Sequence, residues 1–230
     1  MPTSGAIGFG LMSYFALPTA ERLVGTGLVS VLLALLFGAT IYLAILIHEL
    51  GHAFVALHYG YRVGEIVLTI LGGHTLFVQE FKHPRHLALI GLAGPLFNGV
   101  IAFVAYGAMH ITSHPVIEAL LFWTVWSTAV MCVVNLLPGL PLDGGSVLQA
   151  AVWAGTRNVV KAKKAAAIGG VVVAGIWAGS PYLLQAVFGL AIDAVDIAIS
   201  FFVGMWLGMN AMAVLRSLNS ESSVSVQVAV

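Results

Sequence analysis

The stretch that decides the fold is residues 23–57, LVGTGLVSVLLALLFGATIYLAILIHELGHAFVAL, an apolar run that is interrupted near its end by His48, Glu49 and His52. A helix crosses a bilayer with about 20 apolar residues, so this run predicts a membrane-spanning helix. Each ionisable side chain within such a helix costs about 2.5 to 3.5 kcal/mol on insertion scales. Three of them so close together therefore indicate a function.

The spacing of the two histidines is that of a metal site. On a helix His48 and His52 lie about 40° apart around the axis, so both imidazoles can bind one ion. Glu49 lies on the neighbouring face, where it can take a proton from a water that the metal activates. The pattern HExxH is typical of zinc hydrolases, and the alternative, ordinary polar residues at a helix end, leaves their cost in a membrane unexplained. We predict one catalytic Zn²⁺, with His48 and His52 as ligands and Glu49 as the catalytic base.

The composition places the whole chain in a membrane. Of the 230 residues, 60% are hydrophobic and 8% are charged, and the mean hydropathy is +1.03. Such a chain is predicted to be a polytopic membrane protein that is surrounded by the lipid bilayer. The formal net charge is zero, which argues against nucleic acid as a partner. Cys132 is the single cysteine, so an internal disulfide is excluded.

Six apolar segments are separated by polar residues or by proline and glycine, at residues 5–18, 23–58, 87–110, 116–137, 165–188 and 190–215. We predict about six membrane segments, the first of which is short for a full span. With the N-terminus in the cytoplasm, eight of the nine basic residues fall on the cytoplasmic side and only Arg22 falls outside. This bias predicts a multi-pass protein of the cell membrane whose HExxH motif lies towards the cytoplasm.

The segment between the second and third apolar runs has a different pattern. β-Branched and aromatic residues in Val63–Ile70 and Thr75–Phe81 flank the sequence LGGH at 71–74, which predicts a β-hairpin. The hairpin could pair with a substrate strand by β-augmentation, or it could only connect two membrane segments. The predicted fold is an all-α polytopic membrane protein with one small β-hairpin, in which residues 1–216 form a single domain and residues 217–230 a short polar tail.

A catalytic zinc usually has three protein ligands, so one more is required. His58 stands where the third histidine of an HExxHxxGxxH site would stand, but the glycine of that motif is replaced, and an unbroken helix points His58 about 120° away from His52. Asp143 lies in NLLPGLPLDGG at 135–145, where prolines and glycines break the helix at membrane depth. The other carboxylates lie at predicted outer ends of spans, in the hairpin or in the tail. Asp143 is therefore the favoured third ligand, and the alternative is that it caps a helix starting near Gly144.

Three motifs occur in the order that is typical of one enzyme family, namely HExxH at 48–52, GLAGPLFN at 91–98 and NxxPxxPLDGG at 135–145. Over roughly residues 23–150 the chain resembles the site-2 protease family of intramembrane metalloproteases. The resemblance implies a zinc-dependent endopeptidase that cuts transmembrane or membrane-proximal segments of other proteins, often to release a regulator. The chain has no evident PDZ-like or CBS-like domain, so it resembles a minimal form of the family.

The functional positions of that family are matched here residue by residue. Its zinc ligands are matched by His48, His52 and Asp143, and its catalytic base by Glu49. Asn135 matches the first position of NxxPxxPLDGG, and Asn98 matches the asparagine of the third-segment motif. Either amide could hold a substrate backbone or stabilise an oxyanion. A hydrogen bond between helices is the alternative for each.

Two other functions are alternatives to the protease. A metal-ion transporter would distribute its ligands over several depths, whereas the HExxH residues and Asp143 are predicted at one depth. A catalytically silent relative that binds membrane partners would not need the complete set of catalytic residues. We therefore expect a protease that acts on a transmembrane protein substrate in regulated intramembrane proteolysis. The sequence specifies neither that substrate nor the oligomeric state.

Overall fold

The computed structural model describes residues 3–69 and 72–228, with side chains described for 4–69 and 72–220. This part of the chain forms seven helices and one two-stranded antiparallel sheet. In chain order the elements are α1 (Thr3–Val24), α2 (Leu28–His58), β1 (Val63–Thr69), β2 (Gly72–Phe77), α3 (Pro84–Met109), α4 (Pro115–Asn135), α5 (Asp143–Thr156), α6 (Val159–Phe188) and α7 (Ala194–Val228). The predicted fold class, helical with one small β-hairpin, is confirmed.

Five of these helices are long and apolar enough to cross a membrane, namely α2, α3, α4, α6 and the Ala194–Ser220 part of α7. The chain is therefore an integral membrane protein. The predicted count of about six also included the first apolar segment, which folds as α1 but is not among the five candidates within the described residues. Its 22 residues include several Gly, Ser and Thr as well as Pro18, Glu21 and Arg22, and these lower its hydropathy.

One compact unit comprises Met1–Phe81 and Leu92–Val134. Its apolar core is built where α1, α2 and α4 meet, around Phe37, whose side chain is fully buried. The Trp123 ring of α4 packs on Phe37 with its centroid 5.2 Å away. Ala16 and Ala20 of α1 belong to the same core cluster, and neither residue has any exposed surface. Small residues let helix backbones approach closely, which is the packing that a bilayer favours because lipid removes the hydrophobic driving force between helices.

The hairpin in this unit pairs β1 with β2, and the register places Val67 opposite His74 and Thr69 opposite Gly72. Strand β2 therefore begins inside the segment that was predicted as the turn, and it ends at Phe77 rather than Phe81. Ile70 and Leu71, at the predicted end of the first strand and the start of the turn, lie outside the described residues. The Tyr42 hydroxyl of α2 donates to the Thr69 carbonyl at 3.0 Å, so the hairpin is tied to the long helix.

The other compact unit comprises Lys82–Gly91 and Asn135–Val230, and it contains α5, α6 and α7. The irregular segment before α5 lies against α6, where the Leu140 amide donates to the Ala166 carbonyl at 3.0 Å. A Cβ on Gly170 would collide with the Leu140 carbonyl oxygen, and one on Gly139 would collide with the backbone of Gly170. Glycine at both positions is thus what lets this segment and α6 approach to backbone contact.

Candidate metal centre

The two histidines of HExxH lie on consecutive turns of α2 and face the same point. His48 and His52 are 5% and 6% exposed, and their Nε2 atoms are 3.1 Å apart. The two rings meet edge to face, with centroids 4.8 Å apart and an interplanar angle of 80°. The geometry follows from the four-residue spacing on a helix and presents two imidazole nitrogens to one position.

Glycine leaves room at that position. The first compact unit packs α3 on α2, so that a Cβ on Gly94 would lie 2.6 Å from the His48 Nε2 atom and would collide with the His52 Nε2 atom. On α2, a Cβ on Gly51 would lie 3.1 Å from both the Ala93 carbonyl oxygen and the Phe97 ring. The volume that any side chain at position 94 would fill therefore lies directly beside both Nε2 atoms. Two imidazoles that face one point beside a helix backbone without a side chain are a donor set that zinc accepts.

Glu49 is 5% exposed, and strand β2 of the hairpin lies against it. The Thr75 hydroxyl donates to Glu49 Oε2 at 2.8 Å and lies 3.3 Å from the Glu49 carbonyl oxygen. A Cβ on Gly73 would lie 2.8 Å from Glu49 Cγ. The carboxylate is thus held from one side by a hydroxyl and covered by a glycine backbone.

Thr75 and Gly73 were not among the predicted site residues. Two adjacent glycines between β-branched segments favour a turn, so the sequence contains no signal that one of them faces the carboxylate of Glu49. Thr75 is equally ordinary in a strand, where threonine is common. Only the pairing of the hairpin with α2 brings them to the site.

Asn98 of α3 is fully buried, with 0% exposure. Its Nδ2 atom lies 3.0 Å from His48 Nδ1, the ring nitrogen away from the two facing Nε2 atoms. Its Oδ1 atom is buried and has no hydrogen-bond partner in the described part of the chain. Asn98 therefore contacts a predicted ligand at the atom that does not face the metal position.

Asp143 is the first residue of α5, and Leu142, with extended backbone angles, occupies the N-cap position. The predicted alternative, Asp143 as the cap itself, therefore differs from the structure by one residue. The following Gly144 and Gly145 are buried against the backbone of the preceding irregular segment, where a Cβ on either would collide. Asn135 is the last residue of α4 and is half-buried.

One group of three potential metal ligands is found among the described residues, and it consists of His48, His52 and Asp143. One ligand atom from each lies within 4.8 Å of the others. His58 is not in this group; its side chain is exposed and its ring packs edge to face on Tyr59.

Comparison with known proteins finds one peptidase family and several zinc metalloproteases that are similar to this chain. The model of the family described as Peptidase family M50 matches residues 36–117 and 108–178. The putative zinc metalloprotease Rip3 of Mycobacterium tuberculosis is 34% identical over 139 residues, which is 58% of this chain and 35% of that protein. The zinc metalloprotease MJ0392 of Methanocaldococcus jannaschii is 31% identical over 146 residues, or 61% of this chain and 41% of that protein.

These matches cover well under two thirds of the curated relatives' own length. Among solved structures, the site-2 protease from Methanocaldococcus jannaschii superposes with a TM-score of 0.60 and 23% sequence identity. That match covers 90% of this chain and 87% of the other, so the two chains share a fold over nearly their whole lengths.

Proposed function

Because the chain belongs to peptidase family M50, the site-2 protease family, we propose that it is an intramembrane zinc metalloendopeptidase that cleaves transmembrane or membrane-proximal segments of other membrane proteins. The observation that carries this proposal is the HExxH geometry on α2. Two buried imidazole nitrogens 3.1 Å apart lie beside the backbone of Gly94, in a helix apolar enough to span a membrane. Buried ionisable groups in such a helix are costly and therefore functional by default.

His48, His52 and Asp143 are the proposed ligands of one Zn²⁺. This set supplies two nitrogens and one carboxylate oxygen, which is a ligand combination of catalytic zinc sites that keep one position open. When bound, zinc acts as a Lewis acid that polarises the scissile carbonyl and activates water. The proposal is supported by the mutual distance of the three ligand atoms, within 4.8 Å, and by zinc metalloproteases among the relatives.

Glu49 is the proposed general base. It takes a proton from the attacking water and returns it to the amine that leaves when the peptide bond breaks. The Thr75 hydroxyl occupies Oε2 of this carboxylate at 2.8 Å, which orients it and leaves Oε1 for the transferred proton. Because β2 contacts the base directly, a substrate strand added to the hairpin would lie close to Glu49, which favours β-augmentation over a connecting role alone.

Asn135 is the proposed group that holds the substrate backbone or stabilises the oxyanion. It ends α4, is half-buried and immediately precedes the irregular segment that leads to Asp143. Asn98, which was predicted for the same role, is fully buried against His48, and this position favours a role towards the ligand. We further propose that the protein acts in regulated intramembrane proteolysis in the cell membrane, with its active site towards the cytoplasm, as the distribution of basic residues indicates.

The test is cleavage of a panel of single-span membrane proteins in liposomes by wild-type protein and by Glu49→Gln. We expect Glu49→Gln to lose at least about 100-fold in rate while retaining zinc, because general base catalysis contributes roughly 10² to 10⁴. Glu65→Gln is the matched control, since Glu65 is an exposed carboxylate of β1. Equal cleavage by wild type and Glu49→Gln would refute the mechanism. Zinc flux across the liposome membrane without any cleavage would refute the protease and support a transporter.

A further inference from the structure

The hydrogen bond between Asn98 and His48 joins two buried side chains from different helices. Asn98 lies on α3, His48 on α2, and the Asn98 Nδ2 to His48 Nδ1 distance is 3.0 Å. Asn98 has no exposed surface, and its Oδ1 atom lacks a hydrogen-bond partner among the described residues. A buried amide oxygen without a partner is costly and calls for a physical explanation.

The chemistry of a metal-binding imidazole determines which amide atom should face His48. A neutral imidazole carries one N–H, and a ring that binds a metal through the lone pair of Nε2 carries its proton on Nδ1. That Nδ1–H needs an acceptor, and the Asn98 amide is in reach. A half-turn about the Cβ–Cγ bond of Asn98 exchanges Oδ1 and Nδ2 without changing the shape of the side chain. Oδ1 then accepts from Nδ1–H, and Nδ2 takes the position at which Oδ1 has no partner among the described residues.

We propose that Asn98 is a positioning residue for His48: its Oδ1 accepts the Nδ1 proton, which fixes the tautomer and ring orientation that leave Nε2 available to zinc. The proposal rests on His48 being a zinc ligand, as in the proposed function. Partners of this kind orient the ligand and increase its basicity, and their loss typically weakens metal binding about 10- to 100-fold.

The same geometry separates this role from contact with substrate. Nε2 of His48 faces Nε2 of His52 at 3.1 Å, whereas Asn98 meets the opposite nitrogen of the ring. With 0% exposure, Asn98 has no surface to offer to a substrate. It acts through His48.

The experiment measures the zinc affinity of the purified full chain in detergent by competition with a chromophoric chelator, independently of proteolysis. We expect Asn98→Leu to weaken zinc binding about 10- to 100-fold, because it has similar volume and no acceptor. We expect Asn98→Asp to remain within about threefold of wild type or to bind more tightly, because a carboxylate accepts but cannot donate. The visible spectrum of the Co²⁺-loaded protein should change in Asn98→Leu and stay like wild type in Asn98→Asp.

Thr128→Val is the matched control, since Thr128 is also fully buried in the same compact unit, but its hydroxyl bonds among the described residues only within its own helix, at 2.6 Å to the Thr124 carbonyl. Wild-type zinc affinity in Asn98→Leu would overturn the proposal. So would an equal loss in Asn98→Asp, because the amide would then act as a donor. If Asn98→Leu does not fold, the zinc affinity of Asn98→Asp alone tests whether the amide acts as an acceptor. Undiminished zinc binding in His48→Ala would instead refute the ligand set of the proposed function.

Discussion

Replacing Gly94 by alanine tests the proposed metal position more directly than replacing a proposed ligand. The added methyl group would lie 2.6 Å from the His48 Nε2 atom and 2.7 Å from the His52 Cε1 atom. Ordinary van der Waals contact begins at 3.4 Å, so the His48 ring has to move by roughly 0.8 Å or the helices have to separate. Separation would open the close packing of α2 on α3 at Gly51, where a Cβ would lie 3.1 Å from the Ala93 carbonyl oxygen.

The displacement is large on the scale of metal coordination. Zinc to nitrogen distances vary by only about 0.2 Å, so a shift of this size removes at least one ligand from its bonding distance. We expect zinc affinity to fall by at least about 100-fold, which corresponds to about 2.8 kcal/mol at about 1.4 kcal/mol per tenfold. Cleavage should fall with it and should not recover at zinc concentrations that saturate wild type.

The assay is zinc content after purification, followed by competition with a chelator. Two glycines of the same helix are controls: a Cβ on Gly99 would lie 3.6 Å from the Cys132 sulfur, and one on Gly107 would meet nothing within 4 Å in the described part of the chain. Gly99→Ala and Gly107→Ala should therefore bind zinc like wild type. If Gly94→Ala binds zinc as tightly as these controls, the two imidazoles do not share an ion at this position, and the reasoning is refuted.

Two further substitutions test the hairpin and the second unit. Thr75→Val removes the hydroxyl from the Glu49 carboxylate, and we expect about tenfold lower kcat with unchanged zinc content, because a hydrogen bond to a charged group contributes about 1.5 to 3 kcal/mol. Thr75→Ser should restore most of the rate, and equal loss in both variants would argue against the hydroxyl. Gly170→Ala places a methyl group on the Leu140 carbonyl, so we expect about 1 to 3 kcal/mol of destabilisation, seen as a lower midpoint of thermal unfolding. Gly175→Ala, on the same helix with nothing within 4 Å among the described residues, should unfold at or above the wild-type midpoint, and equal midpoints for both would contradict the packing argument.

The sequence predicts local geometry well where one element determines it. His48 and His52 are four residues apart on an uninterrupted helix, so the period of the helix alone places both imidazoles on one side. The exposed position of His58 follows from the same period. Membrane insertion follows from composition, because charged groups are too few to solvate a globule of this size.

Contacts that depend on two elements were not predictable in this way. The turn of the hairpin was expected at 71–74, but β2 already begins at Gly72. Glycine at position 73 is explained by its contact with Glu49, since a Cβ there would lie 3.0 Å from Oε1. A residue type that usually indicates a turn is thus used for a close approach to the Glu49 carboxylate. A glycine that is needed for a turn and a glycine that is needed for a close approach look the same in the sequence.

The motif GLAGPLFN shows that a contact between two helices can still produce a recognisable spacing of residues in the sequence. Gly94 and Asn98 are four residues apart, so they lie on the same face of α3. Gly94 leaves room beside Nε2 of His48, and Asn98 meets Nδ1 of the same ring. One face of α3 therefore lies beside both nitrogens of one imidazole, which gives a physical reason for a glycine and an asparagine at this spacing. Alanine at position 94 would collide with the two imidazole rings, and an apolar residue at position 98 would remove the amide from His48 Nδ1.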